Sequence, residues 1–104
     1  MPVTSKVLAR TAAATTSTTL YTQPNTTTTT IVTNIIVTNT TTSGQTFSLS
    51  IDNVSVATSV PVGLSDSLII DLKQVIPASS PAKTITGSAS TTGVSFHISG
   101  VEIV

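Results

Sequence analysis

Residues Asn25 to Gly44 read NTTTTTIVTNIIVTNTTTSG, and whether this is a disordered tether or a central strand decides the fold of the whole chain. Threonine is β-branched and stiff at its first side-chain torsion, so it suits a pleated surface, whereas disordered stalks with the same bias are also rich in proline. No proline lies between Asn25 and Gly44. Ile31, Val32, Ile35, Ile36 and Val37 sit inside the stretch, bounded by Pro24-Asn25 and by Ser43-Gly44. That is a strand with turn punctuation. Its alternating faces, Thr29/Ile31/Thr33/Ile35/Val37 and Thr30/Val32/Asn34/Ile36/Thr38, both carry aliphatics, which predicts cover on both sides. One face is expected to meet the core, and the other a partner touched by Val32 and Ile36.

Working outward, the flanking segments take the same form. Phe47, Leu49 and Ile51 alternate with Thr46, Ser48 and Ser50, a half-buried strand. Asp52-Asn53 turns the chain into VSVATSVPVG, where Pro61 predicts a sheet edge. In DSLIIDL, Leu68, Ile70 and Leu72 share one face; KTITGSAS follows two prolines as a further short strand. In VSFHISGVEIV, Val94, Phe96 and Ile98 share a face while Val101 and Ile103 fall out of phase, so a β-bulge at Ser99-Gly100 is expected to return both to the core. PVTSKVLA and TTLYT are extended candidates upstream, and no helical periodicity of useful length occurs. Seven to nine short strands at this spacing predict one all-β domain, an antiparallel β-sandwich of jelly-roll or immunoglobulin-like type. We divide the chain into an extended N-terminal arm, residues 1–17, and a sandwich domain, residues 18–104. The arm is poor in large apolar groups, so it is expected to mediate assembly, with Val3, Val7 and Leu8 as its contacts.

Bulk composition narrows the function. Of 104 residues only 8% are charged and 38% are hydrophobic, unlike the high-charge, low-hydrophobicity chains that stay disordered. Lys6, Arg10, Lys73 and Lys83 balance Asp52, Asp66, Asp71 and Glu102 without clustering, so no phosphate-neutralising surface exists and nucleic acid is not an expected partner. A net charge of zero gives little colloidal repulsion, which suits a component of an assembly. The chain has no cysteine, which removes disulfides, thiolate metal sites and a cysteine nucleophile. No apolar run has the form of a secretory signal or the length of a membrane span, so the expectation is a soluble, cytoplasmically made protein without a membrane partner.

Candidate chemistry is sparse. His97 is the one histidine, and no second histidine, paired carboxylates or HExxH accompany it, so no metal site or cofactor is expected. No GxSxG elbow is present among the serines, and the expectation is that the chain is not an enzyme and has no catalytic residue. Asn25, Asn39 and Asn53 each open a glycosylation sequon, but with 23 Thr and 15 Ser such matches arise by chance. Asx turns, in which the side chain bonds the backbone two residues on, account for these asparagines more simply.

The segments Thr19-Leu20-Tyr21-Thr22-Gln23-Pro24, the strand through Ile35, Val37 and Asn39, and Phe47-Ser48-Leu49 form a recognisable series. With Asp66-Ser67-Leu68-Ile69-Ile70-Asp71-Leu72 and the tail from Val94 to Ile103, the chain resembles small virion structural proteins of tailed bacteriophages. The resemblance runs from about Thr18 to Val104. It departs where such proteins carry an Ala-Gly-Lys turn and this chain has Asn25 and five threonines. It implies a non-enzymatic particle component and does not by itself place it on head, neck or tail. The two-sided apolar strands, the zero net charge and the N-terminal arm make the leading expectation a capsid decoration (cement) protein, a homo-oligomer with a trimer favoured, that is made in the host cytoplasm and binds the outer surface of the major capsid protein shell. The alternative is a tail, neck or baseplate-associated β module for fibre attachment or host-surface adhesion.

Overall fold

A computed structural model of the chain describes residues 3–71 and 73–104. Among these, nine strands and no helix are found: β1 (Val3–Ala12), β2 (Thr18–Thr22), β3 (Thr29–Asn39), β4 (Gln45–Ile51), β5 (Val54–Val62), β6 (Ser67–Ile70), β7 (Gln74–Ile76), β8 (Thr84–Ala89) and β9 (Val94–Ile103). They form two antiparallel sheets. One has the order β1-β9-β3-β6, with β7 also paired to β3; the other has the order β2-β8-β4-β5. The chain passes back and forth between the sheets, and its first and last strands lie side by side. That is the connectivity of a jelly roll rather than of an immunoglobulin sandwich, and it bears out the expected β-sandwich while choosing between its two forms.

The sheets enclose one core. Val32, Ile35 and Val37 of β3, Phe47 and Leu49 of β4, Ile85 of β8 and Val94, Phe96 and Ile98 of β9 are fully buried. Phe47 and Phe96, from opposite sheets, meet edge to face with ring centroids 6.2 Å apart, a favoured aromatic geometry. Buried polar groups are held in hydrogen bonds. The Gln23 amide donates to the carbonyls of Thr28, Ile76 and Pro77 at 3.0, 3.0 and 3.3 Å and accepts from the Lys83 N–H at 2.9 Å, which ties the 77–83 loop to the fold. Asn25 and Asn39 make the expected Asx turns, accepting from the N–H of Thr27 and Thr41 at 2.9 Å each. Asn53 works differently: Asp52 and Asn53 have φ of 54° and 60° between the paired Ile51 and Val54, the backbone that a two-residue type I′ hairpin requires. Pro61 does lie on an edge strand, β5, which pairs with β4 through two register shifts.

Three expectations are corrected. The arm is not separate from the sandwich: its PVTSKVLA segment is extended as expected, but Val3–Ala12 pairs with β9 along its length, and Leu8, Ala9 and Ala13 are buried. A jelly roll needs this strand, because without it β9 would become an open edge. Second, β9 has no bulge. Its burial alternates without interruption from Val94 to Ile103, so Gly100 and Glu102 point inward and Val101 and Ile103 point outward. The register shifts fall instead in its two neighbours, between Val7 and Ala9 of β1 and between Val32 and Asn34 of β3. Third, the aliphatics on both nominal faces of β3 follow from that shift. The extra residue, Thr33, reverses the alternation, so Val32 before it and Ile35 and Val37 after it all face the core. On β6, Leu68 and Ile70 pack against the core as expected; Leu72 lies outside the described residues.

Gly100 is needed for space rather than for backbone conformation. A Cβ there would collide with the carbonyl oxygen of Ile31 and come within 2.8 Å of Leu8 Cδ1. The two irregular strands therefore close down on β9 at the one position that has no side chain.

Candidate assembly surface

The register of the five-stranded sheet fixes which side chains leave its outer face. Across β1, β9 and β3 the rows are Val3, Ile103 and Thr29; Ser5, Val101 and Ile31; Val7, Ser99 and Asn34; Arg10, His97 and Ile36; and Ala12, Ser95 and Thr38. Val75 of β7 extends the second row beside Ile31, and Ile69 of β6 extends the fourth beside Ile36. Eight aliphatic side chains thus share one solvent-facing surface: Val3, Val7, Ile31, Ile36, Ile69, Val75, Val101 and Ile103. Val3, Ile69 and Val75 are 64%, 66% and 59% exposed, values unusual for large aliphatics on a free surface when they occur together. In the middle, over the side-chain-free Gly100, Val7, Thr33, Ser99 and Val101 line an open hollow of about 420 Å³.

Of the residues expected to make assembly contacts, Val3, Val7 and Ile36 come together on this face. Val32 and Leu8 do not: Val32 is fully buried and Leu8 nearly so, both inside the sandwich. Each sits beside the extra residue of its strand or is that residue, and the altered phase turns it inward. Ile31, Ile69, Val75, Val101 and Ile103 complete the surface and were not singled out by sequence. Ile69 carried a signal, as it stands opposite in phase to Leu68 and Ile70. Val101 and Ile103 carried one too, in the phase reversal that was read as a bulge.

At the end of the sandwich near Val3, a polar cluster joins the sheets behind this face. Tyr21 of β2 donates a 2.6 Å hydrogen bond across the core to Glu102 Oε2 of β9 and lies 2.8 Å from Thr30 Oγ1 of β3. Lys6 of β1 reaches Glu102 Oε1 at 3.2 Å. Burial, and then the hydrogen bond to the Glu102 carboxylate, push the Tyr21 hydroxyl up to about 12. The cluster links four strands and keeps a buried carboxylate fully bonded, which is a structural task. His97 lies on the outer face as expected, between Arg10 and Ile36. Among the described residues no three His, Cys, Asp or Glu side chains are grouped to hold a metal ion, and no helix is long and apolar enough to cross a membrane.

No protein-family model matches the chain, and no curated protein matches it in sequence. Among solved structures, a chain from the structure of infectious bursal disease virus Gx strain is similar, with a TM-score of 0.57 at 16% identity. The likeness covers 97% of this chain and 32% of that one, so this chain spans about a third of its length. What the two share is a fold. The aliphatic face and the Tyr21 cluster are read from this chain's own residues.

Proposed function

We propose that the chain is a structural component of a virus particle, and within that class a capsid decoration protein, homo-oligomeric, that binds the outer surface of the major capsid protein shell of a tailed bacteriophage. The observation that carries this reading is the aliphatic outer face of the five-stranded sheet, which a protein free in solution would have reason to avoid. Near-zero net charge and the absence of any grouped catalytic side chains in the sequence point the same way. The fold likeness to a chain from a virus structure and the resemblance of the Thr18–Val104 segments to phage virion proteins make the particle the natural setting. Such a protein acts by burial. At ~25 cal/mol per Å² of apolar surface, a standard interface of ~1,600 Å² gives ample gross stabilisation before the costs of association are subtracted, and many copies on one shell add by multivalency.

Quantitative mass spectrometry of purified particles, with antibody labelling in electron micrographs, tests the proposal. A copy number that scales with the shell subunits and label spread over the head is the expected result. Absence from particles overturns the proposal, and a few copies confined to the tail replace decoration with the tail-module alternative.

A further inference from the structure

We infer that the aliphatic face is where two copies of this chain meet, outer sheet to outer sheet, about a two-fold axis perpendicular to the strands. The inference rests on the reading of this face as an assembly contact and makes its occupant a second copy rather than the shell, which leaves the shell to another surface of the dimer.

The area is sufficient. Strands of 10 residues at ~3.3 Å per residue, four abreast at ~4.8 Å, give a face on the order of 600 Å², near the ~800 Å² per partner of a standard interface. Its aliphatic side chains lie mostly in the two rows that flank the central one, Val101, Ile31 and Val75 in one and Ile36 and Ile69 in the other.

The pattern is also self-complementary. A two-fold through the central row, Val7, Ser99 and Asn34, exchanges the row on one side of it with the row on the other while keeping each strand opposite its own copy. Ile36 then faces Ile31 of the other copy, Ile69 faces Val75, and His97 faces Val101. The polar central row meets itself, where the Asn34 amides and Ser99 hydroxyls can bond one another. Arg10, the one permanently charged residue in these rows, falls opposite Ser5 of the other copy, so the two arginines lie on the same β1 edge on either side of the central row, about 13 Å apart. No like charges are brought together, and zero net charge removes the long-range opposition to pairing. Sheets packed face to face at ~10 Å with a modest angle between strands are the ordinary sandwich geometry. An open sheet face is matched to an identical face by a two-fold, with the two central hollows meeting across the axis, whereas the trimer favoured at first would need the face to meet a different surface.

The test is the mass of the purified chain by light scattering across micromolar to millimolar concentration, together with bismaleimide crosslinking. The expected mass is twice the 10.6 kDa of one chain. Ile69→Lys should return the protein to a monomer that still unfolds cooperatively, with a melting temperature that no longer rises with protein concentration, and Val54→Lys, at an equally exposed position on β5, should leave the dimer intact. Because the chain has no cysteine, Asn34→Cys places a single thiol at the axis and should crosslink efficiently, while Thr86→Cys on the other sheet should not. A monomer at all concentrations, a trimer, a dimer indifferent to Ile69→Lys, or equal crosslinking from both cysteines would overturn the inference. A dimer with no copies in particles would sink the decoration role alone; decoration by a strict monomer would sink the dimer alone.

Discussion

The two outer faces of this sandwich are made of different chemistry. On the central strands of the four-stranded sheet, the outward positions are Thr84, Thr86 and Ser88 of β8 beside Thr46, Ser48 and Ser50 of β4, with Thr19 of β2 flanking them. On the five-stranded sheet the outward positions of β3 and β9 carry Ile31, Ile36, Val101 and Ile103 among Thr29, Asn34, Thr38, Ser95, His97 and Ser99. The threonines of one face and the valines and isoleucines of the other are all β-branched and suit a strand alike, so propensity does not explain why one face carries hydroxyls and the other methyls. Hydroxyl against methyl sets what each face suits: water for one sheet, an apolar contact for the other. The inward faces, by contrast, are alike, and this is why the fold tolerates two such unlike exteriors.

The largest expected effect tests how the strands beneath the aliphatic face are held together. Gly100→Ala places a Cβ against the Ile31 carbonyl, a backbone atom that cannot step aside. Its counterpart in the other sheet, Gly87→Ala, meets the ends of Leu49 and Leu20 at 2.8 and 3.0 Å, and these side chains can turn. We expect Gly100→Ala to cost about 3 kcal/mol and Gly87→Ala about 1 kcal/mol, measured by urea unfolding. Equal losses would mean that the close approach of β3 to β9 is not special to the first sheet.

Next comes the bond between the sheets. Tyr21→Phe removes the donor to Glu102 and leaves a buried carboxylate short of a partner, so a loss of about 1–3 kcal/mol is expected. The same residue sets an alkaline limit. Below pH 10 the phenol is neutral in folded and unfolded chains alike and its contribution is intact. Between 10 and about 12 the unfolded chain ionises first, so stability falls as pH rises through that window. Thermal melts of wild type should show this decline more steeply than those of Tyr21→Phe; parallel curves would contradict it.

The smallest effects exchange the faces themselves. Ile36→Thr makes the aliphatic face resemble the hydroxylated one, and Thr86→Val does the reverse. Each should shift monomer stability by no more than about 0.5 kcal/mol, while solubility rises for the first and falls for the second. A large stability change from Ile36→Thr would show that this side chain belongs to the core rather than to a contact surface.

How much of this was legible in the sequence depended on what set each side chain's direction. Alternation in TFSLSI and VSFHIS placed Phe47, Leu49, Phe96 and Ile98 in the core, because a strand's period of two is local. The turns at Asn25 and Asn39 were legible for the same reason. The displacement of phase in β3 was not. Val32 and Ile35 both point inward because Thr33 is unmatched against β9, and only the pairing of the two strands reveals which one carries the extra residue. The out-of-phase Val101 and Ile103 offered two readings, a bulge or an exposed apolar edge, and the pattern within one strand cannot choose between them. Val3–Ala12 looked like an arm since its large aliphatics are few; β9 supplies hydrogen bonds that composition does not record.

The most direct test of the account is hydroxyl-radical footprinting of the assembled protein, comparing the two exteriors in a single sample. Val3, Ile69 and Val75 should be protected on assembly, while Val54 and Val56 on β5, both exposed in the single chain, should label as they do when the chain is dispersed. Equal labelling of both sets in assembled and dispersed protein would contradict the claim that the aliphatic face is the contact surface.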